Sequence, residues 1–133
     1  MRFYLKHFNI FQTFETLTPS NFKHLSEPIE DGTTFEANAK LKSNFFYGAT
    51  NLLSLSDDSG LMIDKLNGYP GIKTARVAKD FGGEQKVIDY IFSKFENEPQ
   101  LKATFHCSIA LIGDDKKLIC SGKVQGSIIP THR

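Results

Sequence analysis

Two aspartates side by side, Asp57 and Asp58, follow an apolar run at 52–56 and are themselves followed by Ser59 and Gly60. Carboxylates beside an apolar strand are costly to keep charged unless water, a metal ion or hydrogen-bond donors offset the charge. Side chains alternate across a strand, so only one of the two acids can face a given side of a sheet. One could then hold Mg²⁺ or activate a water while the other anchors the turn, and the strand ends of α/β sheets are where ligands bind. The plainer reading of the same tetrapeptide is a strand-to-turn cap, since Asp, Ser and Gly are ordinary turn residues.

Other candidates are weaker. Asp58-Ser59-Gly60 matches the Asp-Ser/Thr-Gly signature of aspartic proteases, where two such aspartates from paired halves share a proton. A dimeric aspartic protease is the distant alternative, because nothing resembles a flap and Asp57 would add a third and a fourth negative charge to the dyad. Lys40, Lys42, Lys73 and Arg76 could hold phosphate, although lone basic residues are usually solvated surface. His106 and Cys107 occupy successive strand positions and face opposite sides, which keeps them from sharing a metal. Cys107 and Cys120 fall on neighbouring strands and read as buried free thiols of a reducing compartment. Gly68, Gly71, Gly82 and Gly83 form neither a Walker loop nor a dinucleotide fingerprint.

The elements that must position these groups read as an α/β domain. The spacing predicts a short helix passing into a strand near 3–11 and a turn at 18–21. An acidic loop follows at 27–32. Thr33 and Glu36 have capping-box spacing, opening a helix with Ala37, Leu41 and Phe45 on one stripe that stops at Gly48. Strands are expected at 52–56 and 61–63, on either side of the Asp57–Gly60 turn, before a dense turn cluster at 67–71. Val87, Ile88, Ile91, Phe92 and Phe95 mark an amphipathic helix over 84–95. Residues 103–112 and 117–129 form a hairpin around Gly113-Asp114-Asp115. The expected architecture is a mixed β-sheet with packed helices, a single domain over 1–133.

Composition agrees. The chain has 133 residues, enough for one domain, with 40% apolar and 23% charged residues, which excludes disorder and fibrous repeats. Sixteen basic against fifteen acidic side chains leave +1, so neither nucleic acid nor an anionic membrane is an expected partner. No apolar run could span a bilayer, and the interrupted N-terminus has no signal-peptide core, so a cytoplasmic location is expected. Two cysteines are too few for a disulfide scaffold or a structural zinc site. Twelve phenylalanines with no tryptophan, most of them before residue 50, require substantial packing of the first third.

Read in order, Ser56-Asp57-Asp58-Ser59-Gly60-Leu61, Asp64, Leu66-Asn67-Gly68-Tyr69-Pro70-Gly71 and Thr74-Ala75-Arg76 form a string that closely resembles the inosine triphosphate pyrophosphatase family. Gly32 to Lys42, then Phe105-His106-Cys107 and Gly122 to Gly126, are similar to that family's preceding helix and later strands. The resemblance implies Mg²⁺-dependent hydrolysis of aberrant purine nucleoside triphosphates (ITP, dITP, XTP) to the monophosphate and pyrophosphate, by a cytosolic homodimer. It implies that Asp58 binds the metal and activates water, that Ser59 contacts substrate, and that Glu30 is a second metal acid. The family's N-terminal phosphate loop has no counterpart between Met1 and Phe14, and its Gly-Phe-Gly-Tyr-Asp segment is not reached before Arg133. The expected fold is therefore that family's, truncated at both ends. A remnant without turnover, binding metal or nucleotide weakly or not at all, is the alternative reading.

Overall fold

The computed structural model describes residues 15–130. The helix and strand expected near 3–11 lie outside them. The turn at 18–21 is present as a short 3₁₀ turn, Pro19–Asn21, with Asn21 Oδ1 accepting from the Thr18 amide at 2.8 Å.

Helix α1 runs Phe35–Thr50. Its cap is Thr34, one residue later than the expected Thr33: the Thr34 hydroxyl accepts from the Ala37 amide at 3.0 Å, so that Phe35 opens the helix with its ring buried. Gly48 does not end it. The helix continues to Thr50 and closes at Asn51, whose amide makes the last bond, to the Tyr47 carbonyl at 2.7 Å, and whose left-handed backbone (φ 55°) turns the chain out of the helix. Asparagine tolerates that conformation at a C-cap, and a helical glycine costs only about 1 kcal/mol against alanine.

Strand β1, Ser54–Ile63, is continuous through Asp57-Asp58-Ser59-Gly60, which corrects the expected turn. The ladder with the next strand overrides the local turn preference. Asp57 pairs Ile109, Asp58 pairs Ser108, Ser59 pairs Cys107 and Gly60 pairs His106, without interruption. The cluster at 67–71 does turn, with Asn67 and Gly68 at positive φ (52° and 84°). An unforeseen helix α2, Thr74–Phe81, then leads into α3, Glu84–Lys94, close to the expected 84–95. Strands β2, Leu101–Ile112, and β3, Lys117–Ile128, make the expected hairpin. The described sheet is antiparallel throughout in the order β1-β2-β3, so any parallel member of a mixed sheet lies outside the described residues.

Both faces of the sheet carry helices. Helix α1 lies on the face that holds Ser54, Asp58, Ser108 and Ala110, all buried. The Ser43 hydroxyl, itself fully buried, reaches the Ala110 carbonyl at 2.7 Å and the Ser54 carbonyl at 3.2 Å, fastening the helix to two strands. On the other face, α2 and α3 bury Val77, Val87, Ile91 and Phe92 against Ile63, Leu101 and Ala103. Each such aliphatic or aromatic burial contributes roughly 1.5–3 kcal/mol. This apolar cluster covers one end of its face only. Among the described residues Leu55 and Leu118 are exposed at the far end, and Phe105 and Val124 are exposed in the row of Leu61.

Candidate active site

Asp58 lies mid-strand and points under α1, with its side chain 9% exposed. A charged carboxylate there needs donors, and α1 supplies two from positions four apart on one helix face, Asn38 and Lys42. The Asn38 amide donates from Nδ2 to Asp58 Oδ2 at 3.0 Å, while its Oδ1 accepts from the Gly32 amide at 2.8 Å. One buried side chain thus ties the acidic loop to the strand. Gly32 permits this contact, since a Cβ there would stand 2.4 Å from Asn38 Oδ1.

The Lys42 ammonium stands 3.6 Å from Asp58 Oδ1 and 3.3 Å from Glu30 Oε1. Glu30 arrives on the loop that precedes Gly32. Strand, helix and loop therefore bring two carboxylates to one cationic centre. Burial raises the Asp58 pKa above the ordinary carboxylate value. The Asn38 amide and the Lys42 charge oppose that rise, and the neighbouring Glu30 adds to it.

Asp57 and Ser59 face the other side of the sheet, where the Ser59 hydroxyl donates to Asp57 Oδ2 at 2.9 Å. The alternation expected of the two aspartates holds. Glu30 and Asp58 are brought together, whereas the Ser59 side chain is turned away from both. Gly60, beside His106 on β2, admits no side chain. A Cβ would lie 2.2 Å from the Gly71 carbonyl oxygen, 2.7 Å from Thr74 Oγ1 and 2.9 Å from the Phe35 ring. The Thr74 hydroxyl accepts from the Leu61 amide at 2.9 Å and donates to the Gly71 carbonyl at 2.6 Å, locking the 67–71 turn against β1.

Beyond Asp58, a polar chain crosses the sheet. The buried Ser108 hydroxyl contacts His106 Nε2 at 3.2 Å and Ser121 Oγ at 2.8 Å, and Ser121 donates to Glu36 Oε1 at 3.0 Å. The His106 ring packs on Phe35 with centroids 4.6 Å apart. Cys107, on the opposite side of β2, is a half-buried free thiol; Cys120 is also free but exposed, not buried as expected. Asp58 sits beneath α1 on the Asn38 amide and the Lys42 ammonium, an environment unlike the paired-aspartate dyad of an aspartic protease.

Lys42 and Asn38 are the residues that sequence reasoning passed over as site members, Lys42 because lone lysines are usually solvated. Their i, i+4 spacing in the helix just before the Asp-Asp strand was the available signal.

The sequence profile of the Ham1 family matches residues 4–133. The chain belongs to the Ham1 family. This Ham1 chain is 36% identical over 131 residues to the dITP/XTP pyrophosphatase of Bacillus cereus, covering 93% of itself and 64% of that relative. Against the dITP/XTP pyrophosphatase of Vibrio parahaemolyticus, identity is 37% over 121 residues, covering 87% and 60%. The Ham1 protein of Staphylococcus aureus superimposes with a TM-score of 0.77 at 35% identity, covering 91% of this chain and 64% of that one. The chain thus spans less than two thirds of the length of these relatives. Among its described residues no helix is long and apolar enough to cross a membrane.

The donor set fits a hard divalent cation. Mg²⁺ is held by one or two carboxylates plus waters and substrate phosphates rather than by an all-protein cage. Glu30 and Asp58 supply such a pair, and the described residues contain no cluster of three or more His, Cys, Asp or Glu.

Proposed function

We propose that this Ham1 chain carries the metal and water-activating part of a nucleoside triphosphate pyrophosphatase site. Its reaction is hydrolysis of ITP, dITP and XTP to the monophosphate and pyrophosphate. The observation that carries this reading is the convergence of Glu30 and Asp58, from separate elements, on a single cation position. The names of the relatives supply the substrate class.

In this reading Glu30 and Asp58 would hold Mg²⁺. The ion, when bound, supplies charge for the phosphoryl transition state and eases deprotonation of water. Asn38 fixes Asp58 through Oδ2 and leaves Oδ1 turned toward the cation position. Asp58 takes the proton of the attacking water as the α–β phosphoanhydride breaks and pyrophosphate leaves. The family resemblance also gives Ser59 a substrate contact; with its hydroxyl turned to Asp57, that contact would come through its backbone. Residues 1–133 would form part of one such domain, in a cytosolic homodimer.

The test is pyrophosphate release from ITP, dITP, XTP and ATP with Mg²⁺. Hydrolysis should favour the aberrant purines, and Asp58→Asn should lower it by about 10²-fold, the scale of a lost general base. Unchanged turnover in Asp58→Asn would exclude Asp58 from the role.

A further inference from the structure

The feature that the pyrophosphatase reading leaves unexplained is Lys42. Its ammonium, on a side chain only 18% exposed, occupies the position between Glu30 and Asp58 that a divalent ion would take. Two acids facing one another in a half-buried site repel unless a cation stands between them. We infer that Lys42 is a built-in counter-ion, holding the two carboxylates at a cation's spacing in the metal-free protein and giving up that position when a divalent metal binds. The inference rests on the metal reading of Glu30 and Asp58 and goes beyond it by making metal binding an exchange of cations.

Three observations support the exchange. The ammonium meets one oxygen of each acid, Glu30 Oε1 at 3.3 Å and Asp58 Oδ1 at 3.6 Å, the atoms a divalent ion between them would use. Lys42 has no other acidic partner among the described residues. Asp58 Oδ2 is engaged by Asn38, so the lysine holds the oxygen that remains for a metal. A lysine ammonium is a point charge on a flexible four-carbon stem, suited to leaving without dragging the helix with it. Because the lysine already neutralises part of the carboxylate charge, the metal-free site is stable and its metal affinity is held down.

The probe is Mn²⁺, followed by electron paramagnetic resonance and by calorimetry on the 133-residue chain without nucleotide. Lys42→Met should bind Mn²⁺ about tenfold more tightly or better, since removing a positive charge from the centre strengthens its pull on a dication. Lys42→Arg keeps the charge and should stay within a factor of about three of the parent chain. Thermal melting gives an independent reading. With EDTA, Lys42→Met should melt below the parent, and saturating Mn²⁺ should raise its melting temperature by more than it raises the parent's. Equal or weaker Mn²⁺ binding by Lys42→Met would overturn the exchange while leaving the metal site intact. If Mn²⁺ bound no form of the chain, or bound undiminished to Asp58→Asn, the metal reading itself would fall and the exchange with it.

Discussion

Asn38 does more than its size suggests. Its two amide atoms are both committed, one to Asp58 and one to the Gly32 backbone, so it sets the carboxylate and the approach of the acidic loop together. Asn38→Ala would leave Asp58 Oδ2 without its donor and the Gly32 amide without its acceptor. It should cost about 1–3 kcal/mol in denaturant melts. The pH dependence has a definite sign. The folded-state pKa of Asp58 lies above its unfolded value, so charging it in the fold is unfavourable. Asp58 therefore weakens the metal-free fold at neutral pH, and that penalty fades as pH falls through the raised pKa toward about 4. Melting temperatures of the parent and of Asp58→Asn, measured in EDTA, should differ most near neutrality and converge on acidification. A difference independent of pH would show that Asp58 has no raised pKa.

Strand β1 and its neighbours show where sequence and fold agree. Helix α3 and the β2–β3 hairpin were legible because periodic apolar positions and the turn at 113–115 are local signals that packing reinforces. The tetrapeptide at 57–60 misled for the opposite reason. Four turn-forming residues are held extended by a partner strand some fifty residues away, and only the fold reveals that partner. Helix α2 went unseen because it has eight residues, lies between glycine-rich turns, and buries only Val77. Asp58 itself was legible from the sequence string, but its environment was not, since Asn38 and Lys42 reach it through tertiary packing. Gly60 gives the sharpest test at this scale. Gly60→Ala would force a methyl against the Gly71 carbonyl, Thr74 and Phe35, and should destabilise the fold by about 3 kcal/mol. A melt within error of the parent would mean the 67–71 turn is free to move.

At the scale of the molecule, the described residues cover the sheet unevenly. Helix α1 crosses one face of the sheet, α2 and α3 cover one end of the other, and Leu55, Phe105, Leu118 and Val124 are left facing outward beside Asp57 and Ser59. Four large apolar side chains exposed on one sheet face add apolar surface that a dye can find. The purified 133-residue chain should therefore enhance the fluorescence of an apolar-surface dye, and Leu118→Lys with Val124→Lys should reduce the enhancement at least about twofold. Dye fluorescence at the background of a well-folded control would show that face to be covered.

The division of labour between the two faces has a further consequence for how the chain can change over generations. Every group that meets at Lys42 comes from the stretch between Glu30 and Asp58, whereas the apolar cluster is drawn from Leu61 onward. The charges at Lys42 and the packing of the α2–α3 face are thus written in consecutive passages of the same text, with Phe35 and Ala39 packing the other face from within the first. Substitutions in the second passage should therefore move stability while leaving the charges around Lys42 in place.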